Sequence, residues 1–179
     1  MVMAVETRPW TIEDLDRLPD DENTYEVVRG ELFVTPPPTD DHQTISARLN
    51  SILVPYVTAQ GLGYVYHPRG VVQIDGSQVE PDLIVRHPAP PKTPWKSVPL
   101  PILIVEVRSP STWSRDQGPK RSLYMDARIP EYWMVDGETR TIRVSRPNGA
   151  DVLVQAVLTW NPAGATHPLD IELDEVFGK

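Results

Sequence analysis

Short apolar runs edged by polar residues, "TYEVV" and "ELFVT" at 24–28 and 31–35, predict two extended strands joined near Gly30 and stopped by Pro36, Pro37 and Pro38. Ahead of them, "TIEDLDRLPDDE" reads as a short acidic helix capped by Thr11 and closed by Pro19. From Thr39, with Asp40 and Asp41 in the first turn, the apolar residues Ile45, Leu49, Ile52 and Leu53 recur at helical spacing up to Gly61, predicting the main packing helix. "GYVYH" and "GVVQIDG" look like a second strand pair, and "PDLIVR" like a strand led by Pro81, where a missing N–H is tolerated. Six prolines from Pro88 to Pro101 predict a stiff, extended connection. "ILIVEV" beyond it does not alternate, the mark of a strand buried on both faces. Asp116, Gly118 and Pro119 announce a helix whose Leu123 and Ala127 face the core and which ends before Pro130. "EYWMVD", "TIRVSRP" and "ADVLVQAVL" read as strands, the last two joined by a turn at Asn148 and Gly149, and "PLDIELDEVF" closes the chain. In "EYWMVD" the alternation of Tyr132 and Trp133 predicts one ring in the core and one on a partly covered surface.

Bulk properties narrow the function classes. A chain of 179 residues that is 40% hydrophobic and 23% charged predicts one soluble domain, and no apolar run approaches the ~20 residues of a membrane span. Glu6 and Arg8 stand where a secretion signal would be apolar, so a cytoplasmic address is expected. The absence of cysteine removes thiolate nucleophiles and Cys-based zinc sites, and His42, His67, His87 and His167 lack close metal-ligand spacing. The net charge of -8 argues against a generally basic nucleic-acid binder. It is unevenly spread, however: residues 86–128 hold eight Lys or Arg against three acids, leaving +5 there and -13 elsewhere. That basic segment suits a polyanion or a solvated helix face equally.

Glu106 is the anomaly, a carboxylate inside "ILIVEV". An ionised carboxylate buried without a partner costs several kcal/mol, so Glu106 requires a cation, neutralisation or a place at the strand's open end. Arg108, two residues on and therefore on the same strand face, is one partner. Asp82 opens its own strand 24 residues earlier, a separation that permits the two strands to pair. Two carboxylates on one cavity repel each other and call for a cation between them. One answer is a divalent ion such as Mg²⁺ or Mn²⁺, held by one or two carboxylates with water and phosphate completing its shell. The other is a structural ion-pair network with Arg108 and Arg69. Lys120, four residues after Asp116 on the following helix, can bring an ammonium to the same place, with Tyr124 one turn further on its face.

"EPDLIVR" followed by "ILIVEVRSPSTWSRDQGPKRSLYMDARIPEYWMVD" resembles the Uma-type restriction endonuclease family, a branch of the PD-(D/E)XK nuclease superfamily. "YEVVRGEL", His42 in its helix and the terminal "PLDIELDEVF" extend the resemblance over nearly the whole chain. It implies an α/β (α+β) restriction-endonuclease-like fold, a central mixed sheet flanked by helices, behind an N-terminal hairpin and helix. It also implies Asp82 and Glu106 as ligands of Mg²⁺ or Mn²⁺, with hydrolysis of DNA phosphodiesters as the reaction. One position departs from the superfamily pattern, in which a lysine lies two residues after the acidic ligand; here it is Arg108, whose guanidinium cannot act as a base. Lys120 resembles a migrated replacement, so either Lys120 or Arg108 fills the cationic role. Glu26 and His42 are weaker candidates: Glu26 fits ordinary strand alternation, as does Glu31, and His42 lies near a helix N-terminus. Ser109, Ser111 and Thr112 suit local capping rather than nucleophilic work. Cutting both strands calls for two sites, hence an expected homodimer. The competing reading is a non-catalytic nucleic-acid-binding or regulatory module on the same scaffold.

Overall fold

The computed structural model of the chain describes residues 8–68, 70–108 and 116–178. Strands β1 (Thr24–Val28) and β2 (Glu31–Thr35) form the N-terminal hairpin, following helix α1 (Ile12–Leu15). Their tight connection places Arg29 and Gly30 at φ 51° and 85°, the left-handed pair of a two-residue turn that matches strand twist. Helix α2 (Asp40–Ala59) is capped by Thr39, whose Oγ1 accepts the His42 N–H at 3.4 Å. It buries Ile45, Leu49, Leu53 and Val57 along one stripe.

The strands β3 (Tyr64–Tyr66) and β4 (Val72–Ile74) separate, contrary to the expected pairing of "GYVYH" with "GVVQIDG". β4 instead folds back on β5 (Ser77–Val79) across Asp75 and Gly76, at φ 46° and 73°, a second two-residue turn. Burial decides the outcome: Val72 and Ile74 pack with Val28 and Phe33 of the hairpin, whereas Val65 packs against the core of α2. β5 then joins β1, giving a four-stranded sheet in the order β2-β1-β5-β4.

A six-stranded sheet runs β10 (Val152–Val154), β9 (Thr141–Ser145), β8 (Tyr132–Asp136), β7 (Leu103–Val107), β6 (Leu83–Arg86) and β3. All its pairs are antiparallel except β7 with β8, so the central sheet is mixed as expected. The parallel pair requires a crossover, which contains a π-helical turn (Asp116–Lys120, with Pro119 inside it) and α3 (Arg121–Asp126). The proline-rich connection is broken by a 3₁₀ turn at Trp95–Ser97. The stretch "ADVLVQAVL" is two strands: β10 stays in the large sheet, while β11 (Val157–Trp160) pairs with β12 (Leu169–Glu172) ahead of the terminal helix α4 (Leu173–Phe177).

Each face of the large sheet carries its own core. On one face Val105, Trp133 and Val144 meet Leu49 and Leu53 of α2 and Trp160 of β11; on the other Ile104, Tyr132 and Met134 meet Phe33 of the hairpin and Leu123 and Tyr124 of α3. Tyr132 and Trp133 are therefore both fully buried, correcting the expectation that one ring would be partly covered. Among the described residues no helix is long and apolar enough to cross a membrane.

Candidate functional site

Side chains alternate along β7, so Val105 and Val107 enter the α2 core while Ile104 and Glu106 face the layer of α3 and the four-stranded sheet. Glu106 is only 5% exposed. Its Oε1 accepts from the Lys120 ammonium and from the Tyr124 hydroxyl, each at 3.0 Å. Lys120 closes the π-helical turn and Tyr124 lies four residues on in α3, a spacing that stacks both on one helix face. Lys120 Nζ also lies 2.9 Å from Glu26 Oε2, and Glu26 Oε1 accepts the Glu80 N–H at 2.8 Å. One buried lysine thus bridges a carboxylate from each sheet, as a buried charge requires. Arg29 fastens the same layers from outside, bonding Ser122 and Asp126 of α3.

Tyr124 is fully buried, and burial foremost, then the charge of Glu106, pushes its hydroxyl well above the usual tyrosine value, which keeps it a neutral donor. Its ring meets Tyr132 edge to face at 5.0 Å. Tyr124→Phe should keep that packing and remove one charge-assisted bond, costing about 1.5–3 kcal/mol in denaturant titration. A loss near zero would show that the hydroxyl contributes nothing to holding Glu106.

Asp82 precedes β6. The β6–β7 register pairs Leu83 with Val105 and Ile84 with Ile104, so one further step sets Asp82 opposite Glu106. Asp82 Oδ2 accepts the Val107 N–H at 2.7 Å and lies 3.2 Å from His42 Nε2. His42 reaches it from the first turn of α2 and is itself buried. Two clusters therefore adjoin across one strand pair: Asp82 ties β7 to α2, and Glu106 ties β7 to α3 and the hairpin. Beside His42 opens a cleft of about 660 Å³ whose walls include Thr39, Asp41, Val107, Arg108 and Glu138.

Arg108 turns toward the end of β8. Its Nη1 lies 2.7 Å from Asp136 Oδ2 and 3.3 Å from Glu138 Oε2, ion pairs that place its charge beside β8 rather than between Asp82 and Glu106. Burial works upward on the Asp136 carboxyl, but the Arg108 hydrogen bond and the Thr139 N–H outweigh it and hold the group below its ordinary 3.8. A depressed folded value contributes stability that is present above the unfolded value and lost as pH falls through the folded one. Asp136→Asn should therefore flatten the decline of the thermal midpoint below about pH 4. An unchanged acid limb would place the linkage elsewhere.

Of the residues singled out in the sequence, Glu26, Glu106 and Lys120 converge directly, and Asp82 and His42 form the adjoining pair. Glu31 is exposed at the hairpin turn. Arg69, Ser109, Ser111 and Thr112 lie outside the described residues. Among the described residues no three His, Asp or Glu side chains converge in a way that could hold a metal ion by themselves. Asp82 and Glu106 each offer a hard carboxylate of the kind a hard dication takes one or two at a time, but their printed bonds lead to different layers, Asp82 to His42 of α2 and Glu106 to Lys120 and Tyr124.

A family profile named Uma2 and described as "Putative restriction endonuclease" matches residues 12–174. Among solved structures, the crystal structure of a putative nuclease belonging to DUF820 from Anabaena variabilis aligns with a TM-score of 0.76 at 18% identity, covering 94% of this chain and 98% of that one. At that identity the likeness establishes the fold. No curated protein matches the chain.

Proposed function

Since the chain belongs to the Uma2 family of putative restriction endonucleases, we propose that it is a divalent-metal-dependent DNA endonuclease whose site is centred on Asp82 and Glu106. The reading is supported by one observation: Asp82 accepts the N–H of Val107, the residue after Glu106 in β7, while a buried ammonium stands 3.0 Å from Glu106. In it, Asp82 and Glu106 would hold Mg²⁺ or Mn²⁺. Such an ion, when bound, acidifies water and polarises a phosphoryl oxygen. The chain's own groups do the rest. Lys120, already a donor to Glu106, would donate to negative charge that develops on the phosphoryl oxygens as a water oxygen bonds to phosphorus and an ester P–O bond breaks. Glu26 and Tyr124 fix the positions of Lys120 and Glu106, and little reorganisation is then needed during the reaction. His42, in the wall of the cleft, would orient Asp82 behind it. Arg108 stays protonated and serves as a fixed charge beside that cleft rather than as a base.

The test is plasmid nicking with Mg²⁺ or Mn²⁺, comparing wild type with Asp82→Ala. Metal-dependent nicking that disappears in the variant is expected; equal nicking by both proteins would sink the assignment. One observation favours the non-catalytic alternative: Lys120 already bridges Glu26 and Glu106, so these carboxylates have a cation without any metal. Calorimetric titration of Mn²⁺ into wild type separates the two, since a binding module without a metal centre gives no metal-dependent heat.

A further inference from the structure

The cross-strand partners of Glu106 continue along the large sheet. Glu106 pairs with Met134 of β8, Met134 with Arg143 of β9, and Arg143 with Leu153 of β10. Cross-strand partners share a face, so Arg143 lies on the Glu106 side of the sheet, two strands and about 10 Å away. Its neighbours along β9, Ile142 and Val144, enter the opposite core, in keeping with that direction.

At this place a cleft of about 390 Å³ opens toward the sheet edge, lined by Arg108, Asp136, Thr139, Thr141, Arg143 and Gln155 and floored by Met134. Its outer wall is Leu153, an apolar side chain left 54% exposed on the edge strand. The polar groups are unequally committed. Asp136 accepts from Arg108 and from the N–H groups of Glu138 and Thr139, and the Thr139 and Thr141 hydroxyls bond each other at 2.8 Å. The Arg143 Nε, by contrast, is buried without a hydrogen-bond partner among the described residues. An arginine fork, the hydroxyl proton that the Thr139–Thr141 bond leaves over and a carboxamide surround one opening as donors suited to a phosphate group, while the Asp136 carboxylate on the same wall is paired with Arg108. An anion in the cleft would meet the Arg143 guanidinium fork, whose charge also helps hold the Asp151 carboxyl low.

Resting on the nuclease reading of the Glu106 site, we propose that this cleft is a backbone-phosphate subsite for the bound DNA. In it Arg143 grips a phosphodiester adjacent to the one at Asp82 and Glu106. Arg143 is a binding residue here, and Met134 is the buried floor of the cleft.

Binding of a short fluorescent DNA duplex in metal-free buffer, followed by anisotropy over a salt series, tests this independently of cleavage. Arg143→Gln is expected to weaken binding about tenfold and to reduce the slope of log affinity against log salt by about 1. Arg143→Lys keeps the charge and loses the fork, so it should retain the slope and fall between the two. Arg17→Gln, at an exposed arginine of the α1 region, should match wild type. Equal affinity and slope in wild type, R143Q and R143K would overturn the subsite, as would an equal loss in R17Q, which would mark a diffuse charge effect. Should R143Q fail to fold by circular dichroism, R143K decides the question, and wild-type affinity in that variant would overturn the proposal. An Arg143-dependent slope together with metal-independent or absent nicking would leave the subsite standing and remove the catalytic reading instead.

Discussion

Glu106→Gln is expected to lower metal-dependent plasmid nicking by on the order of 10²–10³-fold while leaving the protein folded. The substitution keeps the volume of the side chain and an oxygen for the Tyr124 hydroxyl and the Lys120 ammonium, which now sit 3.0 Å from Oε1. What it removes is the negative charge, and in the proposed site that charge has two tasks. It supplies one of the two hard anionic oxygens for a dication, and it sets the Lys120 ammonium where phosphoryl charge would develop. Lys120 retains Glu26 at 2.9 Å, so the variant does not strand a buried cation, and the thermal midpoint should move little. Nicking rates, manganese titration and thermal melts on the same preparation check all three parts. Nicking at the wild-type rate in Glu106→Gln would remove Glu106 from the chemistry whatever the melt shows.

Glu106 was legible in the sequence because one carboxylate interrupts an otherwise apolar strand, and burial physics makes such a residue demand a partner. The pairing of its strand with the one Asp82 leads was legible too, since the proline-rich connection has the length that lets two strands lie side by side, and the register bears that pairing out. The identity of the partner was less accessible. Arg108 shares the strand face, but its guanidinium reaches Asp136 and Glu138, acids that no periodicity links to it. Glu26 and His42 carried weak marks for the same reason. Each comes to the site through packing of a different layer, the hairpin sheet for Glu26 and α2 for His42, and a tertiary approach leaves no spacing in the chain. Tyr124 did leave one: four residues after Lys120, it had to share that residue's helix face.

The fold follows the same division. The long periodic helix α2 and the unbroken apolar strand β7 stand where the pattern put them. The three-residue strands β3 and β4 also lie in the runs that announced them but not with the expected partners, because so short a segment has almost no pairing preference of its own and takes whichever edge buries its apolar side chains. Val65 and the Val72–Ile74 strand went to different sheets on that basis. The Asp75–Gly76 turn was nevertheless written in the chain, a dipeptide suited to two consecutive left-handed residues, and it pointed to the β4–β5 hairpin. Gln155 marks a similar break, where a run that looked continuous leaves one sheet for another.

Lys120→Met should produce the largest loss of stability of any single substitution at the site, about 3–5 kcal/mol in chemical denaturation. Lys120 is 5% exposed and lies within 3.0 Å of both Glu106 and Glu26, which are themselves buried. Methionine fills a similar volume, so the loss measures charge rather than a cavity. With the ammonium gone, two carboxylates face each other in the space between the sheets, each deprived of the attraction that offset its desolvation. The sign of a second substitution identifies the cause. If repulsion and desolvation dominate, adding Glu26→Gln and Glu106→Gln to Lys120→Met restores most of the lost stability, because a buried charge cluster replaced as a whole is often close to neutral. If the lysine stem alone matters, the triple variant is no more stable than the single one. A single-variant loss below about 1 kcal/mol, the range of exposed pairs, would show that solvent already screens the cluster and that Lys120 is not the buried bridge on which the site is built.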